Sequence, residues 1–241
     1  MITLVRQPGG LGDILWTMQM ALSYQPSDII WPVPLVYSNL NEYLDTPIQF
    51  VWDEDDFPYK DVWQTRKDKF TTDNLNYLPF QYMQKDGFSV MRGKYECMRE
   101  SHRISSWKNA ITIKRNFEKE NRLKDQVSGS FLGNYAFINN TIGTPPGMIE
   151  LDHKMETDSD LQIIRSRLIN GYSIFDWIGV MMDAKEIHTP DTSFSWLVEC
   201  IKPEAKLFMY PRDLTITQNF SSASVKEYLQ LDWKYREFPN G

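Results

Sequence analysis

MITLVRQPGGLGDILWTMQMALSY, residues Met1–Tyr24, is the stretch on which the fold turns. Met1 to Gln7 reads as a short buried strand. Ile14, Leu15, Met18, Ala21 and Leu22 recur at helical spacing, which predicts a helix from about Asp13 to Tyr24. Between the two lies Pro8-Gly9-Gly10-Leu11-Gly12-Asp13. Gly9, Gly10 and Gly12 let the backbone approach a ligand, and the helix start offers unpaired N–H groups to an anion. Asp13 adds a carboxylate where a phosphate site alone would favour a cation. That combination suits proton removal beside a phosphate; the plainer reading is that Asp13 caps the helix over a tight turn. The loop is no P-loop, because Gly12 is followed by Asp13 rather than Lys-Ser/Thr. It is no dinucleotide fingerprint either, because Leu15 stands where the third glycine belongs.

The chain of 241 residues is long enough for one large or two small domains with a true core. At 41% hydrophobic and 14% aromatic residues it is globular rather than disordered. No apolar run approaches the roughly 18 residues that a membrane span needs, and the N-terminus has no signal-peptide pattern. Cys97 and Cys200 make no disulfide framework, and neither they nor His102 and His153 have metal-ligand spacing. The expectation is a cytoplasmic protein with no metal. The net charge of −6 is uneven: residues 60–124 hold 15 Lys and Arg against 8 Asp and Glu, and the rest of the chain 11 against 24. Such a basic middle either faces an anionic partner or is a solvated, irregular insertion. Lys108, Lys114 and Arg115 are its candidate acceptor-binding patch.

The order of elements is that of an α/β chain. Strands are expected at Thr3–Gln7, Asp28–Val33 and Ile48–Asp53, with a short helix over Ser38–Asp45. Asp53-Glu54-Asp55-Asp56 is an acidic turn. Trp63, Phe70, Tyr77, Phe80, Tyr82 and Phe88 follow without a period, either as packing or as an acceptor groove. Ser106–Val127 predicts a charged helix, and Ser128-Gly129-Ser130 a hinge. Beyond the hinge the pattern begins again, with strands at Tyr135–Asn139, Leu161–Arg165, Lys185–Thr189 and Lys206–Tyr210 and helices around Ile174–Met181 and after Asp191. The expected lobes are therefore 1–127, with the basic insertion, and 128–241.

A second anion-friendly junction is Pro190-Asp191-Thr192-Ser193, where a strand feeds a helix. Asp191 reads as its N-cap, and Thr192 and Ser193 bring hydroxyls to the first N–H groups. In an open parallel sheet ligands bind beyond the carboxyl ends of the strands. Asn139, Asn140 and Thr141, in the polar loop running on to Thr144, either bind a diphosphate or sugar or simply make a turn. His188 faces the same site or the core.

Leu4-Val5-Arg6 followed by Gly-Gly-Leu-Gly-Asp-Ile-Leu resembles the first strand–helix unit of the heptosyltransferases and their relatives in glycosyltransferase family 9. Asp191-Thr192-Ser193-Phe194-Ser195-Trp196-Leu197 is similar to their second-lobe Asp-Ser/Thr-Gly-x-x-His-Leu segment, with Ser193 in place of the glycine and Trp196 in place of the histidine. The resemblance implies a compact GT-B fold, two Rossmann-like lobes facing across a cleft. The acceptor then lies on the first lobe and a nucleotide-diphosphate sugar, a substrate and not a cofactor, on the second. It implies an inverting, metal-independent transfer in which Asp13 deprotonates the acceptor hydroxyl, the glycine loop lies beside the reacting centre, and Asn140, Thr141, His188, Asp191, Thr192 and Ser193 hold the donor. The acceptor is a glycan or its precursor; alternatives are a hydroxymethylated base in DNA, which the basic stretch would favour, and a non-catalytic nucleotide- or sugar-binding module or an epimerase of the same fold.

Overall fold

The computed structural model describes residues 1–129, 133–143, 147–151, 155–158, 160–210 and 228–236. Ser130, Thr144 and His153, named above, lie outside them. The chain divides into two compact units, Met1–Lys114 and Arg115–Gly241.

In the first unit, β1 (Ile2–Val5), β2 (Asp28–Val33) and β3 (Ile48–Trp52) are parallel, and β5 (Leu75–Leu78) pairs parallel with β1 on its other side. A two-residue β4 (Phe70–Thr71) closes the edge antiparallel to β5, giving the order β3-β2-β1-β5-β4. Helices α1 (Leu11–Leu22), α2 (Leu40–Tyr43), α3 (Lys60–Thr65) and α4 (Val90–Met98) connect or cover these strands. The strand order reverses at β1, and such a reversal leaves a crevice beyond the carboxyl ends of the strands. The glycine loop leaves the sheet at that strand.

The aromatic-rich stretch after the acidic turn has no period in the sequence, and here lies the fold's main surprise. LNYL of β5 is buried on every residue and pairs with the central strand, yet in sequence it is four residues between Asn74 and Pro79. Of the six scattered aromatics, Trp63, Tyr77 and Phe80 are buried, and Phe88 is exposed. Helix α4 is pinned to α1: Trp16 Nε1 donates to the Met91 carbonyl at 2.9 Å, Tyr95 Oη donates to the Trp16 carbonyl at 2.8 Å, and the two rings meet edge to face.

In the second unit, α5 (Phe117–Ser128) precedes β6 (Tyr135–Ile138), and the short antiparallel pair β7 (Thr141–Ile142) and β8 (Ile149–Glu150) follows. Then come β9 (Gln162–Arg165), α6 (Ile178–Asp183), β10 (Glu186–Pro190), α7 (Ser193–Ile201), β11 (Lys206–Tyr210) and β12 (Trp233–Tyr235). The sheet is parallel throughout, in the order β12-β11-β10-β6-β9, so its strand order reverses at β6.

The boundary falls at Lys114/Arg115, ahead of the expected 127/128. The long charged helix expected over Ser106–Val127 is two elements: a 3₁₀ helix, Ser101–Ala110, in the first unit, and α5, which opens the second. Helix α5 packs on α6, where Leu123 is fully buried and Glu120 lies against Gly179. That packing, not composition, assigns it to the second unit. The Asp53–Asp56 segment is a turn whose Glu54 and Asp55 carbonyls accept from Lys60 Nζ, and no group of three metal-binding side chains occurs among the described residues.

Candidate functional site

Helix α1 begins at Leu11, and its N-cap is Gly10, not Asp13. Gly10 has φ +76°, a left-handed conformation that disfavours any side chain, and a Cβ there would lie 2.8 Å from Asp13 Oδ2. Gly9 meets no such limit, since a Cβ on it would reach open space. Asp13 therefore stands in the first helical turn with one oxygen folded back over the Gly10 backbone. Its other oxygen, Oδ1, accepts a short hydrogen bond from Lys94 Nζ of α4. Lys94 is 2% exposed and also donates to Gln7 Oε1 at 2.9 Å, while Gln7 Nε2 donates to the Gly9 carbonyl at 2.9 Å. Strand end, glycine loop and α4 thus converge on one carboxylate, a third of whose side chain meets solvent. A buried ammonium fixes the orientation of Asp13 and offsets its charge, and Oδ2 has no hydrogen-bond donor among the described residues. Such an oxygen can take a proton from a hydroxyl placed over the loop.

Lys94 was not singled out from sequence, although a signal was present. It lies three residues after Met91 and four before Met98, on the apolar face of α4, where an ammonium requires a carboxylate.

The second unit gathers polar groups where β6 and β10 end, again at the reversal of strand order. Asn139 is their hub. Its Oδ1 accepts from Ser166 Oγ (2.9 Å), Thr141 Oγ1 (2.8 Å) and Thr141 N (3.2 Å). Its Nδ2 faces Thr189 Oγ1 and Thr192 Oγ1, both at 3.0 Å, and the Thr141 carbonyl at 3.2 Å. An amide has two donor hydrogens and two lone pairs, so Asn139 is saturated and braces the loop instead of reaching outward. Asn140 Nδ2 donates to Glu150 Oε1 at 2.7 Å.

Helix α7 is capped by Thr192, one residue after the expected Asp191. The Thr192 amide donates to Ser195 Oγ at 3.3 Å, and Ser195 Oγ approaches Asp191 Oδ1 at 3.4 Å. Asp191, Thr192 and Ser193 are each half-buried. Ser193, at the first helical position, has no side-chain partner among the described residues. Asn140, Thr141, Asp191, Thr192 and Ser193 are therefore brought to one strand-end region.

His188 does not join them. It is fully buried, stacked on Phe208 with ring centroids 4.5 Å apart; Nδ1 lies 3.0 Å from Tyr210 Oη and Nε2 3.1 Å from Glu186 Oε2. Both nitrogens are committed inside the sheet layer, so the donor-binding expectation for His188 is corrected to a core role. Burial pushes its pKa below the ordinary histidine value, against the opposing pull of Glu186. Burial alone would raise the Glu186 carboxyl, but hydrogen bonds from His188, the Asp158 amide and Lys206 outweigh it and hold it below its usual range. A neutral imidazole donating to Glu186 and accepting from Tyr210 fits both directions.

The basic patch is in part structural. Arg115 belongs to the second unit and is bound through Nε and Nη2 to the buried Glu120, at 3.0 and 2.5 Å. Lys114 belongs to the first, 3.6 Å from Asp45 and 3.4 Å from the Asn41 carbonyl, and Lys108 lies on the 3₁₀ helix. Arg115 neutralises a buried carboxylate, a structural role that the local charge excess concealed.

With this geometry in view, likeness to solved structures becomes informative. A glycosyl transferase family 9 structure from Veillonella parvula DSM 2008 superposes with a TM-score of 0.58 at 8% identity, over 100% of this chain and 88% of that one. The fold is that of the family 9 glycosyltransferases. The E. coli ADP-heptose lps heptosyltransferase II gives a TM-score of 0.52 at 10% identity, over 100% of this chain and 92% of its own. No family model matches the chain, and no curated protein matches it. At such identities the likeness concerns fold, and the GT-B class expected from the two motifs is the class found. No described helix is long and apolar enough to cross a membrane.

Proposed function

We propose that this chain is a glycosyltransferase that moves a sugar from a nucleotide-diphosphate donor to a hydroxyl of a glycan or glycan precursor. The observation that carries this reading is the Asp13 carboxylate, anchored by Lys94 through Oδ1, with Oδ2 above the Gly10 backbone and unpaired among the described residues. In the proposed reaction Oδ2 takes the proton of the acceptor hydroxyl. The hydroxyl oxygen attacks the anomeric carbon, the bond from that carbon to the diphosphate oxygen breaks, and the nucleoside diphosphate leaves with inversion of the sugar centre. The first helical turn of α7, with Thr192 and Ser193, and the loop of Asn140 and Thr141 bind the donor in the second unit. Their N–H and O–H groups stabilise the charge that grows on the departing phosphate. The transfer itself draws on no metal.

A glycan acceptor is favoured over DNA because Arg115 of the candidate basic patch is committed to the buried Glu120 carboxylate. The deciding experiment is a donor screen: nucleotide sugars incubated with the protein, with nucleoside-diphosphate release followed with and without glycan acceptors. Acceptor-dependent release supports transfer. Binding of nucleoside diphosphate with no turnover of any donor would instead indicate a binding module.

A further inference from the structure

We infer that the first unit carries an oxyanion-binding site at the carboxyl end of β1, built on Arg6 and Trp63, which takes a phosphate or carboxylate substituent of the acceptor. Its identification with the acceptor rests on the glycosyltransferase reading; the binding of an anion does not.

Side chains alternate along β1, so Leu4 and Arg6 share a face. Leu4 packs there with Ile30, Phe57, Trp63, Leu75 and Tyr77. Arg6 continues that row past the end of the strand, where its guanidinium carbon sits 4.7 Å from the Trp63 ring centroid and 5.3 Å from that of Tyr82. Its Nε reaches Gln81 Oε1 only at 3.4 Å, and Nη1 is buried with no acceptor among the described residues. Five other arginines pair with carboxylates: Arg66 with Asp68, Arg92 with Glu96, Arg103 with Glu100, Arg115 with Glu120 and Arg122 with Glu118. Among the described residues no carboxylate pairs with Arg6.

The neighbours share the deficit. Trp63 is 7% exposed, yet its Nε1 has no acceptor among the described residues, and Arg66 Nε lacks one as well. Lys67 holds its ammonium 5.8 Å from the Tyr82 ring centroid. Buried polar atoms are nearly always paired, and each exception requires a reason. Here the unpaired atoms are all donors and the surrounding charges mostly cations. Water would satisfy the N–H groups and leave the Arg6 charge uncompensated; an oxyanion does both. A guanidinium beside two rings keeps a two-pronged N–H fork for such a group. Arg6 is half-buried overall, so part of its side chain meets solvent.

The placement ties this site to the reaction. Gln7, the next residue, points to the opposite face and holds Lys94 and so Asp13. An acceptor lying over the end of β1 meets the proposed base on one side and the guanidinium on the other.

The test is an amide and indole nitrogen spectrum of the full chain, with the Trp63 indole assigned through Trp63→Phe. Inorganic phosphate and, separately, acetate are titrated at constant ionic strength, with no donor and no transfer measured. The Trp63 indole signal is expected to shift saturably, and Arg6→Gln to weaken that binding about tenfold or more. The more effective anion tells a phosphate from a carboxylate acceptor. If Arg6→Gln disturbs the fold, Arg6→Lys makes the comparison, because it keeps the charge and loses the fork. A Trp63 signal that neither anion moves, or that moves equally in the Arg6 variants, overturns the proposal. A chain that binds phosphate here but transfers no sugar would refute the glycosyltransferase reading and leave the site standing.

Discussion

Replacing Asp13 by Asn tests the chemistry and the architecture of the site at once, and the two effects separate. Asn is nearly isosteric and can still hydrogen-bond Lys94, but it removes the one carboxylate that compensates an ammonium only 2% exposed. Breaking a fully buried pair from one side costs about 3–5 kcal/mol, because the remaining charge is stranded. A third of the Asp13 side chain meets water, which screens the Lys94 charge, so the expected cost is lower, roughly 2 kcal/mol. For a chain of this size that corresponds to a fall in melting temperature of roughly 4–8 °C. Asp13→Asn combined with Lys94→Met removes both charges and should recover most of the loss, since a neutral pair of similar volume leaves nothing stranded. Transfer behaves differently: it falls about 10²–10⁴-fold in Asp13→Asn and stays down in the double variant, because neither has a base. Thermal melts of the four proteins, run beside nucleoside-diphosphate release, supply both readouts. If the destabilisations simply add, the ion pair is not the coupling described here. If Asp13→Asn retains most of its turnover, Asp13 is not the base.

Changing Thr192 and Ser193 together to Ala, or Asp191 to Ala, should weaken donor binding about tenfold with little change in acceptor KM, as read by calorimetry with an unreactive donor analogue. Asn139→Ala should cost roughly 2–4 kcal/mol in chemical denaturation, since several buried groups lose their partner together, and should lower donor affinity as well. Arg115→Glu should destabilise the chain by about 3–5 kcal/mol through the buried Glu120, whereas Lys114→Glu should be nearly neutral, a contrast that a DNA-binding patch does not predict. For His188 the folded pKa lies below the unfolded one, so the unfolded chain binds the extra proton. Stability is then full above about pH 6.5 and declines as pH falls below it. Glu186, also lowered, adds a further loss as pH falls below about 4.5. His188→Phe should flatten the upper part of that decline in denaturation curves at stepped pH, with donor affinity at neutral pH unchanged in the variant that folds.

The α/β class, the two-unit organisation and both strand-to-helix junctions were legible in the sequence because each is encoded locally. Hydrophobic period marks β1 and α1, glycine permits the turn at Gly10, and hydroxyl residues mark the start of α7. What escaped depended on partners distant in the chain. The four residues of β5 carry no alternation, since a strand buried on both faces needs none, and only pairing with β1 reveals it. Lys94 falls on the apolar face of α4, but its partner is settled only when α4 docks on α1 and brings it to a carboxylate 81 residues away. Arg115 and His188 mislead for the converse reason: a cation in a basic run and a histidine near a polar loop are local signals, while Glu120, Glu186, Tyr210 and Phe208, which engage them, were placed by packing. The sequence determined which segments form the strands, turns and helix starts, because those follow from the torsional and hydrophobic preferences of neighbouring residues. Only the tertiary structure decided which charges are compensated and which donors are left open, because a buried charge is set by groups that the fold, and not the chain order, brings within hydrogen-bonding distance.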